Sequence, residues 1–177
     1  MIKMTKINEY VLQTLSYGVY IISSCFNGKL NAQLANIVFQ VTAEPERIAV
    51  GIHKDNLTHE YIGKSGVLAV SVISESAPMN YILPFGFKSG RDVNKLVNIS
   101  FKIGTTGCPI LTEHTLSAIE AKVTKKLDIG THTLFIANII DTISLGKGTP
   151  LTYLEYHNRK GKTPKNAPTY RHAKTIS

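Results

Sequence analysis

Four short stretches combine residue types that could hold an anion or a polar heterocycle. The first is Lys54-Asp55-Asn56-Leu57-Thr58-His59, which follows a β-branched run and opens a predicted helix. First-turn N–H groups of a helix lack intrahelical acceptors and bind anions. Asn56 and Thr58 would add side-chain donors, and Lys54 a positive charge. The same residues also read as a plain helix cap. The second stretch, residues 31–36, reads as a loop between strands. Ala32 is small enough to let a flat ligand approach the backbone, while Asn31, Gln33 and Asn36 offer paired donors and acceptors. Taken alone it is a polar loop. The third, residues 85–92, carries Gly86, Ser89, Gly90 and Arg91, which suit a phosphate or a charged rim and equally a surface loop leading to a helix. The fourth places His132 at the start of a strand, either at the mouth of a barrel against a ligand or in a structural role.

Other chemistries leave no trace in the sequence. Cys25 and Cys108 form no C-x-x-C pair, and the six histidines show no H-E-x-x-H pattern, so no metal site is expected. The two thiols read as small buried hydrophobes in a reducing, cytoplasmic setting. No G-x-G-x-x-G follows a strand and no P-loop appears. No Ser/His/Asp arrangement follows from residue order. The first residues do not read as a signal peptide, and no apolar run approaches the ~18 residues of a membrane span, so no membrane partner is expected. The net charge of +8 is densest over residues 157–165. That run reads as a solvated tail or as a surface for an acidic partner. It lacks the aromatic stacking motif of RNA-binding modules, so no nucleic acid is expected.

The elements that must position these residues are mostly strands. At 177 residues, 43% hydrophobic and 18% charged, the chain is one globular domain able to bury a core. Ile7, Tyr10, Val11 and Leu15 are spaced as one face of a short helix. Residues 19–24, 37–42, 47–53, 67–73, 116–127 and 134–143 read as strands, with Asn27-Gly28 as a hairpin turn. A helix capped by Asp55 or Asn56 is expected to run to about Ile62, ended by Gly63 and Gly66. A short helix should begin at Pro78 and end over Pro84-Phe85-Gly86, with one or two helical turns over 91–97. Residues 151–157 suggest a last strand, and from Lys160 onward an extended basic arm. The expected architecture is mainly β: an antiparallel β-barrel with peripheral helices.

Taken in order, these segments resemble the flavin reductase-like family, whose members share the FMN-binding split β-barrel. The likeness runs from about Tyr10 to Tyr170 and is nearest to the flavin domain of high-molecular-weight rubredoxins and to flavoredoxin-like proteins. It is carried by Tyr17-Gly18-Val19-Tyr20, residues 31–36, Gln40-Val41-Thr42 and residues 54–60. It continues through residues 85–93, Gly107-Cys108-Pro109-Ile110-Leu111, residues 130–135 and residues 161–170. The resemblance implies a barrel domain over 1–160 with an arm over 161–177, an FMN cofactor, NADH or NADPH as substrate, and a homodimer. It implies an NAD(P)H-dependent flavin reductase passing electrons to free flavin, an iron chelate or a redox protein. The alternative is a non-enzymatic FMN carrier working with rubredoxin, ferredoxin or flavodiiron-type partners. By the same resemblance Asn31, Ala32 and Gln33 would line the isoalloxazine edge, and Asn36 the ribityl–phosphate region. Lys54, Asn56, Leu57 and Thr58 would hold the phosphate. Ser89, Gly90 and Arg91 would approach from a neighbouring loop, and His132 would lie on the nicotinamide side. Residue 131 is Thr where many reductases carry Asp, which departs from the nicotinamide pattern. The rubredoxin-bearing relatives continue into an iron domain with two C-x-x-C pairs, and this sequence has none, so a rubredoxin partner is expected to be separate.

Overall fold

A computed structural model describes residues 7–159, 161–164 and 166–169. In chain order these form α1 (Glu9–Gln13), β1 (Tyr20–Phe26), β2 (Lys29–Ala35), β3 (Val38–Ala43) and β4 (Glu46–His53). Then come α2 (Leu57–Ser65), β5 (Val67–Ile73), α3 (Met79–Phe87), β6 (Phe101–Ile103) and β7 (Pro109–Leu111). The chain closes with β8 (Thr115–Asp128), β9 (His132–Ser144) and α4 (Tyr153–Asn158). Seven strands make one sheet in the order β2-β1-β5-β8-β9-β4-β3, and β6 pairs with β7 separately. Every pairing is antiparallel.

The sheet curls because strands far apart in it share one core. Ile22 of β1, Val50 and Ile52 of β4, Val70 of β5 and Phe135 of β9 pack in a single buried cluster, which Ile62 of α2 enters as well. Period-2 alternation in each strand puts these residues on one face. Fully burying each such side chain contributes about 2 kcal/mol. The two edge strands, β2 and β3, are joined through Asn36 and Ile37 and do not pair, so the barrel stays split there. A second cluster covers the outer face of β1 and β2, with Ile82 and Phe85 of α3 and Tyr153 and Tyr156 of α4 packed on Ile21 and Ala32.

Local chemistry sets the boundaries. Asn27 and Gly28 both take positive φ, 49° and 72°, as a tight β1–β2 hairpin requires. Helix α2 ends where Gly66 turns left-handed at φ 72° and its N–H bonds the Ile62 carbonyl. The thiols of Cys25 and Cys108 are reduced, with the sulfurs 4.0 Å apart.

Three expectations need correction. Residues 31–35 belong to strand β2 rather than a loop, since each pairs with β1. Residues 153–158 form helix α4 rather than a strand. Thr152 Oγ1 accepts the Glu155 N–H as an N-cap, and Tyr153 and Tyr156, three apart, bury one helical face. Helix α3, with Pro78 at its N-cap and its end at Phe87, agrees with the expected helix to within a residue. Residues 91–97 form separate turns, such as the one closed by Asp92 N–H on the Ser89 carbonyl, and no helix. The short β6–β7 pair was missed. At three residues per strand it offers too little pattern to read.

Candidate functional site

A cleft of about 370 Å³ lies between β2, the start of α2, the loop after α3, helix α4 and the chain beyond it. That volume falls in the range of small-molecule sites. From β2, Asn31, Gln33, Leu34 and Ala35 line it, while Ala32 packs in the core and is fully buried.

The floor at one end is the N-terminus of α2. Asn56 occupies the N-cap position but makes no side-chain cap hydrogen bond. Its Oδ1 instead accepts from Asn166 Nδ2 at 3.3 Å. The first-turn amides of α2 therefore stay unbonded by their own cap residue. Thr58, fully buried, accepts from Asn31 Nδ2 at 2.7 Å, and its own proton has no acceptor among the described residues. Gly90 sits so close that an added Cβ would collide with Asn31 Oδ1. Ser89 and Gly90 thus form a wall over Asn31 and Leu57.

His132 and His53 define another part of the wall. They face each other across the β4–β9 ladder, with ring centroids 4.8 Å apart and edge to face. His132 Nδ1 lies 2.9 Å from Thr131 Oγ1, and Nε2 is buried without a hydrogen bond of ordinary geometry. Burial first, and then the neighbouring His53, push the His132 pKa below the usual histidine range, while the Asn166 backbone pulls partly the other way. Burial and His53 both favour the neutral ring. His59, 2.8 Å from Thr133 Oγ1 through its Nε2, is also held low, mainly by burial and next by Lys54.

The residues anticipated from sequence separate into two groups. Asn31, Gln33, Asn36, Asn56, Leu57, Thr58, Ser89, Gly90 and His132 all line the cleft. Ala32, Lys54 and Arg91 do not. Lys54 Nζ bonds Asp128 at 2.7 Å, a pair that holds the Asp128 carboxyl below its ordinary range. Arg91 pairs with Glu60 at 2.9 Å.

Several lining residues escaped the sequence reading. His53 precedes the Lys54 stretch by one position and gains meaning only when β4 pairs with β9. Lys95 is 9% exposed, lines the cleft and makes no ion pair or hydrogen bond among the described residues. Burial pulls its pKa down to about 8. The stretch beyond α4 also contributes. Tyr156 OH donates to the Lys162 carbonyl at 2.8 Å, and Pro164 and Asn166 line the cleft. Thr169 Oγ1 accepts from Asn36 Nδ2 at 3.2 Å and donates to Tyr153 OH at 3.0 Å. The part of this segment that is described thus packs against the site; residues 160, 165 and 170–177 lie outside the described residues.

The donor set suits a ligand with a phosphate and a flat polar ring. Unbonded helix amides with the Thr58 hydroxyl suit an anion. Gln33 Oε1, buried and without a hydrogen-bond partner among the described residues, calls for a ring N–H, since an unmet buried acceptor is costly. Phe85, Tyr153 and Tyr156 add aromatic wall. FMN has these parts, so the residues fit it. Among the described residues no group of His, Cys, Asp and Glu suits a metal ion, and no helix is long and apolar enough to cross a membrane.

Comparisons with known proteins bear on the family of the chain. The chain is 44% identical over 160 residues to a high molecular weight rubredoxin of Moorella thermoacetica, covering 90% of this chain and 70% of that protein. It is 44% identical over 157 residues to a ferric-chelate reductase (NAD(P)H) of Archaeoglobus fulgidus, covering 88% and 93% respectively. The fold of a flavoredoxin from Methanosarcina acetivorans superposes with a TM-score of 0.74 at 21% identity, over 99% of this chain and 94% of that one. The flavin reductase like domain family matches residues 12–162, and the split barrel, the cleft and the two relatives at 44% identity place this chain in that family.

Proposed function

We propose that this protein binds FMN in the cleft and is an NAD(P)H-dependent flavin reductase that hands electrons to free flavin, an iron chelate or a redox protein. The observation that carries the reading is the α2 N-terminus, uncapped by Asn56, opening into the same cleft as the unpartnered Gln33 Oε1. Bound FMN supplies the hydride acceptor and the two-electron store. The protein's residues bind and orient. The α2 amides with Asn56, Leu57 and Thr58 hold phosphate. Asn31 keeps Thr58 in place, and Gln33 reads a ring N–H. His132, whose burial favours the uncharged ring, lies on the nicotinamide side. No proton-transfer residue is required for hydride delivery. The similarity to a protein named ferric-chelate reductase (NAD(P)H) supports the choice of reductant.

The test is Asn56→Ala with Thr58→Ala. Loss of the hydroxyl and amide donors should weaken FMN binding at least tenfold, read by quenching of flavin fluorescence, with the far-UV spectrum unchanged. Unaltered affinity overturns the phosphate assignment.

A protein acceptor is the second part of the reading. The net charge of +8 favours an acidic partner such as a separate rubredoxin, ferredoxin or flavodiiron-type protein. The similarity to a protein named high molecular weight rubredoxin supports that class. A homodimer completes it, supported by the exposed apolar side chains Phe39 and Val41 on the edge strand β3.

A further inference from the structure

Outside the cleft, the fold brings the two thiols of the chain together. Cys25 lies near the end of β1 and Cys108 just before β7, 83 positions apart in sequence, and their sulfurs stand 4.0 Å apart. Cys25 is partly exposed and Cys108 is fully buried. They pack in one cluster with Ala69, Ile110 and Ala118.

The backbone around the pair is fixed from several sides. Ser23 Oγ of β1 donates to the Pro109 carbonyl, and Leu111 N–H donates to Ser71 Oγ of β5 at 3.3 Å. The turn before Cys108 is closed by Gly107 N–H on the Gly104 carbonyl at 3.0 Å. Within that turn Thr105 and Thr106 N–H donate to the buried Glu120 carboxylate at 2.9 and 2.8 Å. Gly107 leaves room over the sulfur, since an added Cβ there would lie 3.4 Å from Cys25 Sγ. The thiols therefore meet through the build of the sheet and this turn, not through the swing of a loose loop. A disulfide needs its sulfurs at about 2.05 Å, roughly 2 Å nearer than the van der Waals contact they make now.

The difference in exposure sets an order of reaction. An oxidant arriving from solvent meets Cys25 first. Burial pushes the Cys108 thiol up to about 12, which keeps it from attacking the oxidant itself. A sulfenic acid formed beside a second thiol condenses with it to a disulfide before it climbs to the irreversible acids.

We propose that Cys25 and Cys108 form a reversible peroxide-oxidation site, in which Cys25 is the sulfur oxidised and Cys108 resolves it as a disulfide within the chain. In the first step the Cys25 thiolate attacks one oxygen of hydrogen peroxide. The S–O bond forms, the O–O bond breaks, and the departing hydroxide takes the thiol proton as water. In the second step the Cys108 sulfur attacks the Cys25 sulfenic sulfur. The S–S bond forms, the S–O bond breaks, and the hydroxide released takes the Cys108 proton as a second water. The two thiols lose two electrons in all, and the peroxide gains them. The site stands whether or not FMN occupies the cleft.

The experiment uses the 177-residue protein as purified, reduced with dithiothreitol, freed of it and exposed to hydrogen peroxide. Remaining thiols are blocked with N-ethylmaleimide, and intact masses and non-reduced peptide maps are recorded. Wild type should lose both thiols and two hydrogens in mass, yield a linked peptide pair carrying Cys25 and Cys108, and recover both thiols with dithiothreitol. In Cys108→Ala, Cys25 should pass to the sulfinic acid about tenfold more than in wild type at equal exposure. In Cys25→Ala, Cys108 should stay reduced. Wild-type Cys25 that accumulates as sulfenic or sulfinic acid without the link overturns the proposal, whatever the variants do. So does a link formed only between chains or only after unfolding in urea. A wild-type protein that keeps both thiols under exposure that oxidises free glutathione overturns it as well.

Discussion

At the scale of single residues, the site depends on a few close approaches. Gly90 is glycine because Asn31 Oδ1 occupies the space a Cβ would need. Gly90→Ala must push Asn31 aside and so break its 2.7 Å bond to Thr58. We expect FMN affinity to fall about tenfold, with thermal stability lowered by no more than about 2 kcal/mol, since the loop can shift outward. Calorimetric titration of apoprotein with FMN checks it, and unchanged affinity would mean that Asn31 does not position Thr58. The sequence exposed most of these residues by type. Asn31, Gln33, Asn56 and Thr58 announce themselves as clustered donors. Lys95 does not, because a lysine between Asn94 and Leu96 looks like any solvated one until the turns over 91–97 bury it. His53 is similar: its pairing with His132 is a product of register, which separates the two by 79 positions in the chain (132 − 53).

At the scale of elements, the strands and α2 were legible because period-2 runs of Ile and Val, and a cap-type residue at Asn56 with Gly66 at the far end, are local signals. Helix α4 was not. Leu151, Tyr153 and Glu155 alternate like a strand, and only the Thr152 cap and the burial of Tyr153 with Tyr156 decide for a helix. The segment after α4 has the largest functional consequence. Its Asn166 bonds Asn56, its Thr169 bonds Asn36, and Pro164 lies within 3.3 Å of the Cβ position of Gly86. Ending the chain at residue 160 should therefore weaken FMN binding by at least tenfold and leave the barrel folded, because the strands' own ladders do not use it. Retained FMN stoichiometry by gel filtration, with unchanged affinity, would show that the segment merely rests on the site.

At the scale of the whole molecule, the split barrel brings distant pieces of sequence to one cleft: β2 from the first hairpin, α2 from the middle, His132 from β9 and the last described residues. Their resemblance in order to a known family was readable. Their convergence was not, since it depends on the curl of the sheet. The same curl leaves Phe39, 51% exposed, and Val41, 44% exposed, on an unpaired edge strand. Such an edge is normally covered. We expect a dimer by light scattering, and Phe39→Glu should shift it toward monomer. A wild-type monomer at micromolar concentration would contradict a dimer built on this edge.

The most direct test of the central claim is an anaerobic absorbance titration of the FMN-loaded protein with NADH and, separately, NADPH. We predict that at least one dinucleotide bleaches the flavin stoichiometrically and rapidly after mixing. Flavin that stays oxidised with both, yet is reduced by dithionite, would contradict a reductase and leave an electron carrier fed by another protein.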